Sequence, residues 1–130
     1  MSASVKSAFL RTAAVKHNLG ITSFTMPTGC YLALYTSNPT VSDTGTEVTG
    51  GSYARQNLSS KFGSESGGIV ASNASVTFSS MPACTVSHWG IRSASSGGNL
   101  LYFGAFDLPI VLNSGDSFTI ASGDIKVQER

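Results

Sequence analysis

Charge is scarce in this 130-residue chain, with only 12% of residues Asp, Glu, Lys or Arg, about half the share usual in globular proteins. Acids are absent from the first 42 residues, the earliest being Asp43. Cysteines number two and histidines two. Cys30 and Cys84 form no CxxC and have no nearby His, so the sequence predicts buried reduced thiols and shows no metal site. The chain has no internal repeat, no coiled-coil heptad and no collagen-like period, which excludes a repetitive fibre shaft. No apolar run approaches transmembrane length, so no membrane span is expected. A secretory signal is not expected, because Lys6, Arg11 and Lys16 interrupt the N-terminal apolar residues. The Ser-rich, acid-free start fits an organellar transit peptide better, yet little else suggests an imported enzyme. The expectation is a chain made in a host cytoplasm without an export signal of its own.

Ser, Thr and Gly fill the place of the missing charge, around an ordinary 41% hydrophobic content. At this length a single domain can bury a core without disulfides. The weakly charged exterior suits turn-rich β structure and surfaces that meet other subunits. Lys6, Arg11 and Lys16 are the only charged residues before Asp43, giving a mildly basic N-terminal arm on a mildly acidic body. Without a basic-aromatic patch, those charges read as a solvated helix face and not as a nucleic-acid contact.

Residues Ala3–Asn18 are predicted helical, capped by Ser2 or Ser4, with Val5, Phe9 and Ala13 on an apolar side extended by Leu10 and Ala14. Gly20 marks the stop, and Lys16 and His17 complement the helix dipole in the last turn. The favoured packing closes one end of the helix's own domain, the alternative being contact with a neighbouring subunit. Alternation then takes over. In GCYLALYT, Cys30, Leu32 and Leu34 share one face and Tyr31, Ala33 and Tyr35 the other, so this strand is expected to be central and covered on both sides. SYARQNLS, ASVTFSS, TVSHWGIRS, NLLYFGAF, FTIAS and DIKVQ supply further strands between Gly and Asn clusters. In ASVTFSS, Val76 and Phe78 point inward. The expected fold is mainly β, an antiparallel β-sandwich or barrel with one N-terminal α-helix. That places a helix within residues 1–20 and one β domain over 21–130 with a long loop at 37–52.

Catalytic motifs are missing. There is no GxSxG, no HExxH, and TGGS lacks the Lys and helix of a phosphate loop. His17 is explained by helix capping, and His88 reads as a half-buried structural histidine opposite Trp89. No closely spaced carboxylate pair resembles a glycosidase site, although a folded loop could bring Asp43 and Glu47 together. The chain is therefore expected to be no enzyme and to need no cofactor. Tyr31, Tyr35, Tyr53, Tyr102 and Trp89 would offer stacking faces to a glycan, although aromatics scattered in strands more often serve the core. Glycan binding would need an exposed aromatic pair near Trp89 or Tyr53.

The segment LYTSNPTVSDTGTEVTGGSYARQ, Leu34 to Gln56, joins a Leu-Tyr-Thr strand end, an Asn-Pro turn, a Gly-Thr-Glu-Val step and a Gly-Gly-x-Tyr-Ala-Arg-Gln strand start. With NASVTFSS, VSHWGIRSASSGGNLLYFGAF, LNSGDSFTIASGDIKV and the short N-terminal helix, it resembles a family of small tailed-bacteriophage virion proteins commonly labelled tail fibre proteins. The resemblance covers nearly the whole chain and brings no catalytic residues. It departs from the family pattern in its basic helix. It implies a virion structural protein bound to major capsid or tail proteins. Because a small single domain is also similar in style to capsid decoration (cement) proteins, decoration ranks first and a tail fibre, baseplate adaptor or receptor-binding module second.

Such a protein binds many identical neighbours, so a symmetric homo-oligomer is expected, with a trimer suiting threefold positions. Ser37–Gly51 is the candidate arm onto another subunit, with an Ω-loop folded on its own domain as the equal alternative. The candidate interface residues are Lys6, Arg11, Asn38, Pro39, Thr40, Asp43, Thr46, Glu47, Tyr53 and Arg55. Glu47 and Arg55 are expected to fix the arm's register, by pairing with each other or across the interface.

Overall fold

The computed structural model describes residues 4–128. Its elements are β1 (Val5–Lys6), α1 (Ala8–Asn18), β2 (Tyr31–Tyr35), β3 (Gln56–Asn57), β4 (Ile69–Ala71), β5 (Val76–Met81), β6 (Cys84–Arg92), β7 (Leu100–Leu112), β8 (Asp116–Ile120) and β9 (Lys126–Gln128). Five strands form one sheet in the order β1-β7-β6-β2-β3, while β4-β9 and β5-β8 form two-stranded ribbons. All pairings are antiparallel. The mainly β, antiparallel expectation holds, and the open order β1 to β3 shows that the main sheet does not close into a barrel.

Alternation along β2 explains why the main sheet is covered twice. Leu32 and Leu34 pair with Ile91 and Trp89, and all four enter a core with Val76, Phe78, Met81 and Ile120 from the β5-β8 ribbon. The opposite set includes Ala33, Tyr35 and Phe103, which are buried outside that cluster together with Leu10 of α1. One face of the sheet therefore meets the ribbons and the other meets the helix side. Each such large apolar side chain contributes about 1.5–3 kcal/mol on burial.

The helix begins later than the sequence suggests. Val5 and Lys6 pair with Phe103 and Tyr102 of β7, so they are strand residues, and the proposed capping residue Ser2 lies outside the described residues. Ser4, the other proposed cap, accepts from Gln128 N and ties the two ends together. The actual cap is Ser7, whose Oγ accepts from Leu10 N at 3.1 Å and donates to Leu100 O. Pairing with an existing strand satisfies the Val5 and Lys6 backbone better than one more exposed helical turn would. Of the proposed apolar stripe, Leu10 is buried and Ala13 and Ala14 are half-buried. Phe9 is largely exposed and meets Phe24 edge to face. The helix ends with Lys16 and His17 in its last turn, as expected. His17, however, accepts from Phe24 N through Nδ1 and so holds the following segment against the helix end.

Val76 and Phe78 point inward, as alternation predicts, until a register shift before Met81 returns that side chain to the core. Cys30 and Cys84 are unpaired thiols, half-buried and not fully buried as expected, and burial raises the pKa of both.

Candidate functional site

The long loop leaves β2 and returns beside it. Thr36 N donates to Thr46 O, and Val48 N donates to Leu34 O, both at 2.9 Å, so the returning arm extends the sheet beyond Tyr35. At its tip, Asn38 Oδ1 accepts from Thr40 N at 2.9 Å, an Asx turn. Thr40 and Asp43 both adopt positive φ, 59° and 57°, a conformation sparsely populated by β-branched residues such as Thr. Gly45 is required by close approach: a Cβ there would lie 2.6 Å from Pro39 Cα. Pro39 and Val48 are buried. The loop is therefore folded on its own domain.

Two arginines lock it. Arg92, at the end of β6, donates from Nη1 to Asp43 Oδ1 at 2.8 Å and from Nη2 to Oδ2 at 2.9 Å. It further donates to Tyr35 Oη, Gly97 O and Gly98 O. All five guanidinium N–H groups are thereby used. Arg55 donates from Nε and Nη2 to the two Glu47 oxygens at 2.9 and 2.8 Å, and from Nη1 to Ala94 O and Gly97 O. Gly97 O thus accepts from both arginines. Gly97 and Gly98 follow one another at φ 64° and 69°, which a side chain would resist, and their carbonyls are left facing the guanidiniums.

Glu47 Oε2 also accepts from Tyr53 Oη at 2.6 Å, while that oxygen accepts from Leu34 N at 3.0 Å. Burial alone would raise the Glu47 pKa. Hydrogen bonds from Arg55 and Tyr53, with the charges of Arg55 and Arg92, outweigh it and hold the carboxyl below its usual value. Burial, then the Glu47 carboxylate, pushes the Tyr53 hydroxyl far above its ordinary 10. For Arg92, burial opposes the charge but Asp43 and Tyr35 prevail, so its pKa is raised. For Arg55 the hydrogen bond to Glu47 leads the upward shift. Two carboxylates and two guanidiniums make a neutral clasp whose chemistry is to fix geometry.

The proposed residues separate into groups. Asp43, Glu47, Tyr53 and Arg55 join the clasp, and Glu47 pairs with Arg55 within the same chain. Asp43 and Glu47 do not act as a carboxylate pair, because each is bound to its own arginine. Asn38 and Thr46 lie exposed on the loop, while Thr40 shares a hydroxyl contact with Thr44. Arg11 is exposed on α1, and Lys6 is in β1. Arg92 was missed, although a charged residue in a strand as apolar as WGIRS has to find a buried partner.

The glycan reading loses its platform. Trp89 is 0% exposed and Tyr35 is buried, and Tyr53 is stacked on Phe78 inside the fold. Trp89 lies against Gly104, where a Cβ would come within 2.7 Å of the indole, and its Nε1 has no hydrogen-bond partner among the described residues. His88 is half-buried, its Nδ1 sits 2.7 Å from Ser87 Oγ, and burial lowers its pKa. Among the described residues no helix is long and apolar enough to cross a membrane.

A family model described as Podophage GP4 fiber I protein gp80 matches residues 6–128. No curated protein matches the chain. The match takes in the helix, both arginines of the clasp and every strand from β2 to β9, and on that ground the chain belongs to the Podophage GP4 fiber I protein gp80 family of phage fibre-type structural proteins.

Proposed function

We propose that the chain is a non-enzymatic virion subunit, made in the host cytoplasm, which attaches to neighbouring phage proteins as a homo-oligomer. The family match over residues 6–128 carries this reading. A tail position is favoured over capsid decoration, because the family is described by a fibre protein. Decoration is the second reading, supported by a single small domain without shaft repeats. The clasp supports either role: a rigid loop loses little conformational entropy when it docks. Asn38 and Thr46, exposed on that loop, are its outward contacts in this proposal.

Copies per purified particle, counted by quantitative mass spectrometry against the major capsid protein, test the proposal. A few to a few dozen copies support the tail, and a ratio near that of the capsid protein supports decoration. Absence from the particle refutes both.

A further inference from the structure

Residues 23–29, between α1 and β2, form neither helix nor strand. Among the described residues one backbone hydrogen bond anchors them, from Phe24 N to Nδ1 of exposed His17 at 3.1 Å. The chain on either side is tied separately. Ile21 N and Thr22 N both donate to Lys16 O, and Cys30 O accepts from Leu58 N. Phe24 is half-buried, with its ring edge to face against Phe9 and the centroids 6.2 Å apart. A cleft of about 270 Å³ lies here, lined by Phe9, Phe24, Met26, Pro27, Asn99 and Leu101. The segment is therefore one wall of the cleft, held by a ring contact and a single polar anchor.

That anchor depends on the charge of the imidazole. Nδ1 accepts from Phe24 N only while it carries no proton, which puts the ring's one N–H on Nε2. An imidazolium has two donors and no acceptor, so it would meet the Phe24 N–H with a proton of its own. Few other charges stand near the contact. Residues 18–29 have no titratable side chain, and Ser93, Asn99 and Leu101 on the sheet side of the cleft are uncharged. On α1 itself the charged side chains are Arg11 and Lys16, both exposed.

We propose that His17 is a pH latch: as the neutral imidazole it docks residues 23–29 against Phe9, and on protonation it releases them and opens the cleft. The docked segment excludes the added proton, so docking is complete at higher pH and is lost as pH falls. Release would bare the Phe9 ring beside Leu19, Ile21 and Met26, which are already 70%, 67% and 82% exposed. Acid would thus enlarge the apolar surface at this end of the molecule. The latch depends on neither the virion role nor the oligomeric state.

Proton–nitrogen NMR on the full chain tests it, with wild type, His17→Asn and His17→Ala compared from about pH 8 to about pH 5, where histidines ordinarily change charge. Asn offers an acceptor oxygen that does not titrate, and Ala offers none. Near-UV circular dichroism of buried Trp89 confirms that each variant is folded. At the upper pH the wild-type His17 ring should be the Nε2–H tautomer. As pH falls, the Phe24 amide resonance should move with the same midpoint as the His17 ring. Its exchange protection, corrected for the intrinsic rate, should drop several-fold, as the loss of one hydrogen bond implies. In His17→Asn the protection should persist across the range, and in His17→Ala it should be missing throughout. A neutral ring protonated on Nδ1, or a Phe24 amide that ignores the His17 midpoint, would overturn the proposal. So would full protection in His17→Ala, or a response that survives in either variant and so belongs to another group such as His88.

Discussion

Arg92 holds Asp43 in two near-parallel hydrogen bonds, 2.8 and 2.9 Å long, across 49 residues of chain. The arginine side chain is 9% exposed and the aspartate 36%, so the two ends of the pair differ in what they leave behind when removed. A planar fork suits this geometry and an ammonium does not.

Arg92→Ala should therefore cost about 3 kcal/mol, because it strands Tyr35 Oη and the Gly98 carbonyl as well as Asp43, whereas Gly97 O keeps its bond from Arg55. Asp43→Asn should cost only about 1 kcal/mol, since the aspartate is partly solvated and Arg92 keeps its other acceptors. Urea midpoints of the two variants check this order. Equal losses would mean that the arginine's value lies in the ion pair alone.

Acid should weaken the second half of the clasp. The Glu47 carboxyl is held below its ordinary 4.5, so the folded chain takes up that proton at lower pH than the unfolded chain. Its contribution is whole above pH 4.5 and is lost as pH falls through the lower folded value. Glu47→Gln should lower the urea midpoint at neutral pH and flatten its decline in acid. Identical acid slopes for wild type and variant would contradict the role given to Glu47.

Gly104→Ala should destabilise by about 1–3 kcal/mol through overpacking, since the new methyl would meet the Trp89 ring. Trp89 emission should shift with it, whereas wild-type emission should be insensitive to acrylamide and to added sugars. A quenchable, sugar-responsive wild-type tryptophan would revive the glycan reading.

Ser7→Ala removes both the helix cap and a buried link to Leu100 O. A loss of about 1–2 kcal/mol is expected, read as a lower melting temperature. Ser4→Ala, by contrast, should leave helix content unchanged, because Ser4 contacts Gln128 N and not the helix.

Period and punctuation in the sequence by themselves determined the mainly β antiparallel architecture, the two-sided burial of Tyr31–Tyr35, the inward Val76 and Phe78 and the single helix ending near Gly20. These rest on local alternation, which side-chain geometry enforces wherever a face is buried. The helix start was decided by tertiary structure, because Val5 and Lys6 had a strand of β7 to pair with. The clasp was half legible: Asp43, Glu47, Tyr53 and Arg55 stood out, but Arg92, Tyr35 Oη and the Gly97 and Gly98 carbonyls did not. Sequence spacing carries no information on which of two arginines reaches which carboxylate. That choice depends on strands far apart in the chain being brought side by side, and on buried charges that have no lower-energy alternative than one another.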